Sequence, residues 1–276
     1  MKSHLRLISS FLLLTAPFTP TLLGQTPEEE LRLGVQAYKS ARFEEAIQHF
    51  EKCVAIAPDN PKAHLYLATA YAQQYIPGVD IPENDRLAEL AIAQYELVLV
   101  GHPDPEARIN SAKGIAYLNL QRKKFEEAKK FYRMASDLGP DDPENYYSIG
   151  VIDWTASYAP RMEARAKLGL KPAAWLGARD KGVCREIRGQ NSPTVQEGID
   201  NLNKALELRP DYDDAMAYMN LMYRERADIQ CDDRAAHDAD LRTADEWVDR
   251  TMATKKAKAK ADRKGRKVKG GVVDPQ

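Results

Sequence analysis

The chain has 276 residues, of which 43% are hydrophobic and 29% are charged. This composition excludes a wholly disordered chain and a polytopic membrane protein, and the length suits one or two domains. Three cysteines exclude a disulfide-dense mini-domain and a zinc site of four thiolates. The net charge is -1, but residues 255–269 carry nine Lys or Arg and one Asp, which leaves residues 25–254 at -10. An acidic body therefore precedes a basic low-complexity tail, 253–276, which we expect to be disordered.

The first 24 residues have the three-part layout of a secretory signal peptide. A short positive start leads into the apolar run 7–14, and a stretch containing Pro17 and Pro20 ends at Gly24. The apolar segment is shorter than the ~20 residues that a membrane-spanning helix needs. We expect cleavage near Gly24 and export to the periplasm or the medium. An uncleaved membrane anchor is the alternative.

Four segments of the remaining chain share one spacing. A small residue is followed four positions later by an aromatic residue or Leu, three later by a small or medium-sized residue, and five later by Pro. The series are Ala46/Phe50/Cys53/Pro58, Ala91/Tyr95/Val98/Pro103, Ala128/Tyr132/Ala135/Pro140 and Gly198/Leu202/Ala205/Pro210. Before each lies an apolar residue followed by Gly or Ala, at 33–34, 67–68, 115–116 and 149–150. The pattern predicts pairs of helices that cross closely at small side chains, with Pro ending the second helix.

This pattern resembles the tetratricopeptide repeat, a helix–turn–helix unit of about 34 residues. The resemblance implies an all-α solenoid over 25–252, with about five helix pairs in a right-handed superhelix. The units are approximately 27–60, 61–105, 109–142, 143–212 and 213–252, the last with its second helix at 241–252 after a charged loop. A long insertion falls at 154–194 in the fourth unit. Because the large insertions all follow the first helix of a unit, we expect them on one edge of the solenoid.

In this family the first helix of each unit lines a concave groove. Carried over position by position, the resemblance implies a partner-binding groove of Tyr38, Lys39, Gln73, Lys113, Tyr117, Gln121, Tyr147, Trp154 and Arg224. Aromatic and cationic side chains suit an extended peptide. For Tyr117 and Tyr147, ordinary packing between units is an equal alternative. The family's clamp for a C-terminal carboxylate is not implied, because Leu31 and Val35 occupy the positions of its Lys and Asn.

The cysteines and the acidic residues indicate no catalytic or metal site. Cys53 lies at a helix-packing position and is predicted to be buried. Cys184 and Cys231 fall in insertions of adjacent units, so in an oxidising compartment a disulfide between them is one expectation and two free thiols are the other. Cys231 and His237 lie among acidic residues, but their spacing matches no ligand pattern. We find no catalytic motif, and we predict no metal and no cofactor.

The sequence therefore predicts a non-enzymatic scaffold that binds an unidentified protein or peptide in the groove or on the insertion edge. Two alternatives stay open. The segment 255–269 could bind an anionic envelope polymer or lipid by counterion release, whereas no specific nucleic acid is predicted. An enzyme site in 154–194 is the other alternative, because that segment is rich in cations that could recognise an anionic substrate: Arg161, Arg165, Lys167, Arg179, Lys181, Arg185 and Arg188.

Overall fold

The computed structural model describes residues 26–101, 104–171 and 174–269, with the backbone alone at 262 and 264–269. The expected signal peptide, 1–24, and the end of the tail, 270–276, lie outside these ranges. Within them, no helix is both long enough and apolar enough to cross a membrane.

The described residues form eleven helices and no strand. In chain order the helices are α1 (Pro27–Lys39), α2 (Phe43–Ile56), α3 (Pro61–Gln74), α4 (Pro82–Gly101), α5 (Pro105–Gln121), α6 (Phe125–Leu138), α7 (Pro143–Lys167), α8 (Leu176–Arg179), α9 (Lys181–Leu208), α10 (Asp213–Asp228) and α11 (Arg234–Lys269). Apart from the short α8 they pack as five pairs: α1–α2, α3–α4, α5–α6, α7–α9 and α10–α11. The second helix of each pair also packs on the first helix of the next pair. The prediction of an all-α solenoid of five helix pairs is therefore confirmed.

The turns between pairs explain where the next helices begin. Asn60 Oδ1 accepts hydrogen bonds from two backbone N–H groups of α3 at 3.1 and 3.2 Å. Asp142 Oδ1 accepts one from the first turn of α7 at 3.0 Å. In both turns the capping residue is followed by Pro, at 61 and 143, which has no N–H to leave unsatisfied. Helix α10 differs, because its N-cap residue Tyr212 makes no capping side-chain bond.

Small residues allow the helices of a pair to approach closely. In each of the four sequence series, the three residues named before Pro are buried. A Cβ at Gly34 would overlap the ring of Phe50, and one at Gly150 would lie 2.6 Å from Leu202 Cγ. Cys53 is buried as predicted, and its Sγ donates to the Pro27 carbonyl at 3.1 Å. The small residues are thus set by the crossing distance of the helices.

The insertion predicted at 154–194 is largely helical. Helix α7 continues to Lys167 and α9 begins at Lys181, with α8 between them. Lys129 of α6 binds Asp153 of α7 with Nζ and Oδ1 2.7 Å apart. Because helices joined by a short turn run antiparallel, α7 extends past the start of α6 by about ten residues, or ~15 Å. The fourth unit therefore projects from the solenoid as a helical hairpin.

Helix α11 replaces the expected loop, short helix and disordered tail. It runs unbroken from Arg234 to Lys269 instead of spanning 241–252. Ala and Lys, which dominate the tail, are both strong helix formers. Lys258 Nζ donates to Asp213 Oδ1 at 2.6 Å, which ties the start of the tail to α10. Disorder is therefore the wrong expectation for the described part of the tail.

One disulfide joins the fourth and fifth pairs. Cys184 of α9 is bonded to Cys231, which lies in the turn between α10 and α11, and their Cα atoms are 5.5 Å apart. Both residues are fully buried. The helix α8 packs closely on this turn, since a Cβ at Gly177 would lie 2.6 Å from the Cys231 carbonyl oxygen. The insertions of the fourth and fifth units therefore meet at one edge.

Candidate partner-binding site

The first helices of the five pairs form what we call the first-helix face: α1, α3, α5, α7 and α10. Contacts join α1 to α3, α3 to α5, and α7 to α10. All nine predicted groove residues lie on these helices: Tyr38 and Lys39 on α1, Gln73 on α3, Lys113, Tyr117 and Gln121 on α5, Tyr147 and Trp154 on α7, and Arg224 on α10.

The predicted residues on α1, α3 and α5 differ in how far they are open to a partner. Lys39 and Gln73 are exposed, and Tyr117 keeps 43% of its surface. Tyr38 lies edge-on to a Phe ring of its own pair, with centroids 5.3 Å apart. Gln121 is half-buried beside the α5–α6 turn. Among the six predicted residues on these helices, Tyr117 is the large apolar side chain available to a partner.

Two of the predicted groove cations are already engaged within the chain. Lys113 Nζ donates to Asp142 Oδ2 at 2.8 Å, across the turn that starts α7. Arg224 donates to Asp245 Oδ1 of α11 at 2.7 Å. The first contact joins neighbouring pairs and the second joins the two helices of the fifth pair, so a partner would have to compete for both cations.

An aromatic cluster fills the space between α7 and α10. The ring of Tyr147 lies 4.9 Å from that of Tyr212 and 5.7 Å from that of Tyr218. The ring of Trp154 lies 5.5 Å from Tyr218 and 5.0 Å from Tyr158. Tyr147 and Trp154 thus take part in packing between units, which is the alternative left open for Tyr147. Tyr158, which is 38% exposed, is the open end of the cluster.

Beyond this cluster lies a cavity of about 540 Å³ between α7, α10 and α11, which we call the α7–α10 cleft. Its apolar wall includes Tyr158, Met162, Leu170 and Leu241, and Arg224 lies at its side. Tyr158 and Met162 are each 38% exposed. The volume falls within the ~300–1,000 Å³ typical of small-ligand sites. The cleft is therefore large enough to take one or two side chains of a partner.

The charged groups at the base of the cleft neutralise one another. Arg161 donates to Glu225 Oε2 at 2.6 Å and to Asp228 Oδ2 at 2.9 Å. Arg165 donates to Asp228 Oδ2 at 2.7 Å. Burial raises the pKa of Glu225, and the nearby Arg161 opposes that rise. Two arginines face two carboxylates, so the cleft favours an apolar group over an anion.

The enzyme alternative needed free cations in the insertion, and the structure pairs several of them. Besides Arg161 and Arg165, Lys181 and Arg185 bind Asp232 at 3.4 and 3.0 Å. These pairs fasten α9 to the turn that follows α10. Across the described ranges, no cluster of three or more His, Cys, Asp or Glu side chains is arranged to hold a metal ion.

A second exposed apolar surface lies in the loop between α3 and α4. Ile76, Val79 and Ile81 are 58%, 39% and 48% exposed. The loop is held by Asn84, which accepts from the Ile76 N–H at 2.8 Å and donates to the Ile76 and Val79 carbonyls at 2.9 and 2.7 Å. Gly78 provides the positive φ of 80° that the turn requires. The apolar side chains are thus presented on a fixed backbone.

The apolar residues of the cleft are the part of the site that sequence reasoning missed. Tyr158 and Met162 follow Trp154 on the same helix at intervals of four residues. That periodicity is the signal that could have placed them on the same helix face. His237 and Leu241, which line the cleft from α11, carry no such signal, because their position depends on where that helix begins.

Comparison with known proteins agrees with this architecture. The family model for the tetratricopeptide repeat matches residues 37–74, which span the end of α1, all of α2 and α3. A crystal structure of MamA protein is similar over 86% of this chain and 96% of its own, with 15% identity and a TM-score of 0.56. MamA 41-end from Desulfovibrio magneticus RS-1 shows 14% identity over 85% of this chain and 97% of its own, with a TM-score of 0.55.

A third solved structure extends the likeness of fold. YrrB, described as a TPR protein with an unusual peptide-binding site, shows 12% identity over 85% of this chain and 93% of its own, with a TM-score of 0.52. No curated protein matches the chain. Identities this low show a shared fold alone. The repeat pattern and the family match over residues 37–74 are similarities of sequence. Taken together, the spacing of small residues, the five stacked helix pairs and the family match over residues 37–74 show a solenoid of the tetratricopeptide-repeat type.

Proposed function

We propose that this protein is a non-enzymatic scaffold that holds a protein or peptide partner on the first-helix face, with the α7–α10 cleft taking an apolar side chain of that partner. Stacked repeats of this kind form extended binding surfaces. The peptide-binding site described for YrrB, which shares the fold, is consistent with such a role. The apolar loop between α3 and α4 is a second surface of the same scaffold.

The observation that carries the proposal is the exposed pair Tyr158 and Met162 at the mouth of the cleft. Both side chains keep 38% of their surface although they line a cavity. Binding energy in protein interfaces is concentrated in such apolar pockets. Burying one large apolar side chain of a partner would contribute about 1.5–3 kcal/mol.

Site-specific photo-crosslinking in the host cell tests this proposal. Benzoylphenylalanine at position 158 should capture one discrete partner. The matched control places the same group at Val100, which is 90% exposed on α4. Capture at position 100 but not at 158, or the same products from both positions, would refute the role of the cleft.

We also propose that the protein is exported. The disulfide between Cys184 and Cys231 supports an oxidising compartment, where such bonds persist. N-terminal sequencing of the protein purified from its host should begin at Gln25. A product that starts at Met1 and stays in the cytosol would contradict this proposal.

A further inference from the structure

The basic half of α11 continues as a helix beyond the ion pairs that tie its start to α10. The last body contacts are made by Thr254, whose Oγ1 lies 3.5 Å from Met216 Sδ, and by Lys258, which binds Asp213 at 2.6 Å and Asp211 at 3.7 Å. Past Lys258 every described side chain, at 259–261 and 263, is exposed. The helical backbone continues to Lys269. The segment 255–269, which we call the basic rod, is therefore anchored near its start, and the side chains described beyond Lys258 are open to solvent.

Helix formation concentrates the charge of this segment. Its net charge of +8 is carried by 15 residues. As a helix these residues span ~22 Å, whereas an extended chain of that length would span ~50 Å. The helix thus carries about one net charge per 3 Å, within twofold of the one charge per ~1.7 Å along duplex DNA. A rod with this charge density matches the phosphate spacing of a linear polyanion.

The side chains of the basic rod restrict the kind of anion it fits. Its apolar residues are three alanines, one glycine and Val268, so it has no apolar face to insert into a bilayer. It has no aromatic side chain for stacking on bases and no Asn or Gln for reading base edges. What it offers is a row of cations, among which Lys256, Lys260 and Arg263 are exposed.

The charge of the body supports the same assignment. Residues 25–254 carry a net charge of -10 and repel a polyanion from the rest of the surface. The acidic turn at Asp211 and Asp213 engages Lys258 at the base of the rod. A polyanion would therefore meet the molecule at the part of the rod beyond Lys258.

From these observations we propose that the basic rod is a binding site for a linear phosphate polymer without bases, held by counterion release along a preformed helix. This site shares no residue with the first-helix face. Its signature is an affinity that falls steeply with salt and that depends on both the cations and the helix.

Fluorescence anisotropy with end-labelled inorganic polyphosphate and the full mature chain tests the proposal. The triple variant Lys256→Gln, Lys260→Gln, Arg263→Gln should raise Kd at least about tenfold at 0.15 M salt and reduce the salt slope by about three. Ala261→Pro keeps every cation but interrupts the helix, and should raise Kd about fivefold. Arg250→Gln removes an exposed cation from the part of α11 that packs on the body, and should leave Kd within about twofold of the parent value.

Three results would overturn the proposal. One is unchanged polyphosphate binding in the triple variant. Another is parental affinity in Ala261→Pro, which would show that the helix is irrelevant. The third is a preference, at equal phosphate concentration, for anionic lipid vesicles or for a 20-bp DNA duplex, which would assign the rod to a different source of phosphate. Circular dichroism of each variant confirms that the body remains folded.

Discussion

Gly150 and Gly189 both lie inside long helices, but their surroundings are opposite. A Cβ at Gly150 would lie 2.6 Å from Leu202 Cγ and 3.3 Å from the Gly198 carbonyl oxygen, whereas a Cβ at Gly189 would meet no atom within 4 Å. Gly150→Ala should therefore destabilise the protein by about 1–3 kcal/mol, because the pair α7–α9 must separate. Gly189→Ala should stabilise it by about 0.5–1 kcal/mol through helix propensity.

Urea unfolding of the two variants beside the parent measures both effects. The two substitutions are chemically identical, so their difference isolates the helix crossing. Equal shifts of the midpoint in the same direction would show that the small residues are not set by close approach.

Asp153 is a buried carboxyl group at the contact between α6, α7 and α9. It is fully buried, and Lys129 Nζ lies 2.7 Å from it and 2.7 Å from Glu197. Burial raises the pKa of Asp153 to about 7 from its ordinary 3.8, and Lys129 only partly opposes this rise. Glu197, which also contacts Arg133, has its pKa lowered because these two cations outweigh the effect of its burial. Lys129 thus bridges two carboxyl groups, at equal distances from both.

The raised pKa of Asp153 predicts how stability varies with pH. Between about pH 4 and 7 the folded chain holds a proton on Asp153 that the unfolded chain has lost, so this group's stabilisation decreases as the pH rises. Asp153→Asn removes that contribution. The free energy of unfolding should then gain a more positive slope with pH, by at most about 1.4 kcal/mol per pH unit.

Urea titrations of the parent and of Asp153→Asn at pH 5, 6 and 7 provide the measurement. Titrating groups outside the cluster of Asp153, Lys129, Glu197 and Arg133 contribute equally to both proteins and cancel in the difference. Parallel pH profiles would show that Asp153 is ionised throughout this range.

At the scale of single residues, the sequence predicted burial better than binding. The small residues and Cys53 have their positions fixed by helix geometry, which repeats from unit to unit. The groove residues depend on neighbours from other units, which repeat only approximately. Tyr147 became part of an aromatic cluster because Tyr212 and Tyr218 happen to lie opposite, and nothing in its own segment predicts this.

At the scale of elements, the helices of the fourth and fifth pairs differ most from the prediction. Pro160 and Pro193 lie inside α7 and α9, where a proline would ordinarily interrupt a helix. The two helices continue because they pack against each other and against α8 and α10. Propensity read along the chain cannot include that tertiary contact. The spacing of 70 residues from Pro140 to Pro210 predicts the insertion 154–194 but not its helices.

The disulfide fixes α9 to the turn that precedes α11, so we expect its removal to loosen this part of the molecule. It closes a loop between residues 47 positions apart. Replacing both Cys184 and Cys231 by Ala should lower the free energy of unfolding by about 2–4 kcal/mol, since the unfolded chain is no longer constrained. Hydrogen exchange should increase first in α8 and in residues 229–233, which pack around the bond.

Calorimetry and hydrogen exchange of the double variant test this, with Cys53→Ala as the control that removes a thiol elsewhere. A uniform rise in exchange over the whole chain would show that the bond does not act locally. An unchanged midpoint would show that the bond does not form in solution.

At the scale of the whole molecule, the repeat pattern was sufficient to predict the number of helix pairs and their stacking. Each unit leaves an apolar face that only a neighbouring unit can cover, so four recognisable series already require a continuous stack. The pattern could not predict the α7–α10 cleft, because the cleft depends on the lengths of α7 and α11 and on the salt bridges between α7 and α10. The central claim, that the first-helix face binds a partner through this cleft, therefore rests on the structure.

The most direct test of that claim is to select peptides that bind the parent from a random phage library. The affinity of each selected peptide is then measured for the parent and for the double variant Tyr158→Ala, Met162→Ser. The account predicts that the selected peptides share an apolar side chain and lose at least about tenfold in affinity for the variant, as expected when the contact of one buried apolar group is lost. Selected peptides that bind parent and variant equally well would contradict it.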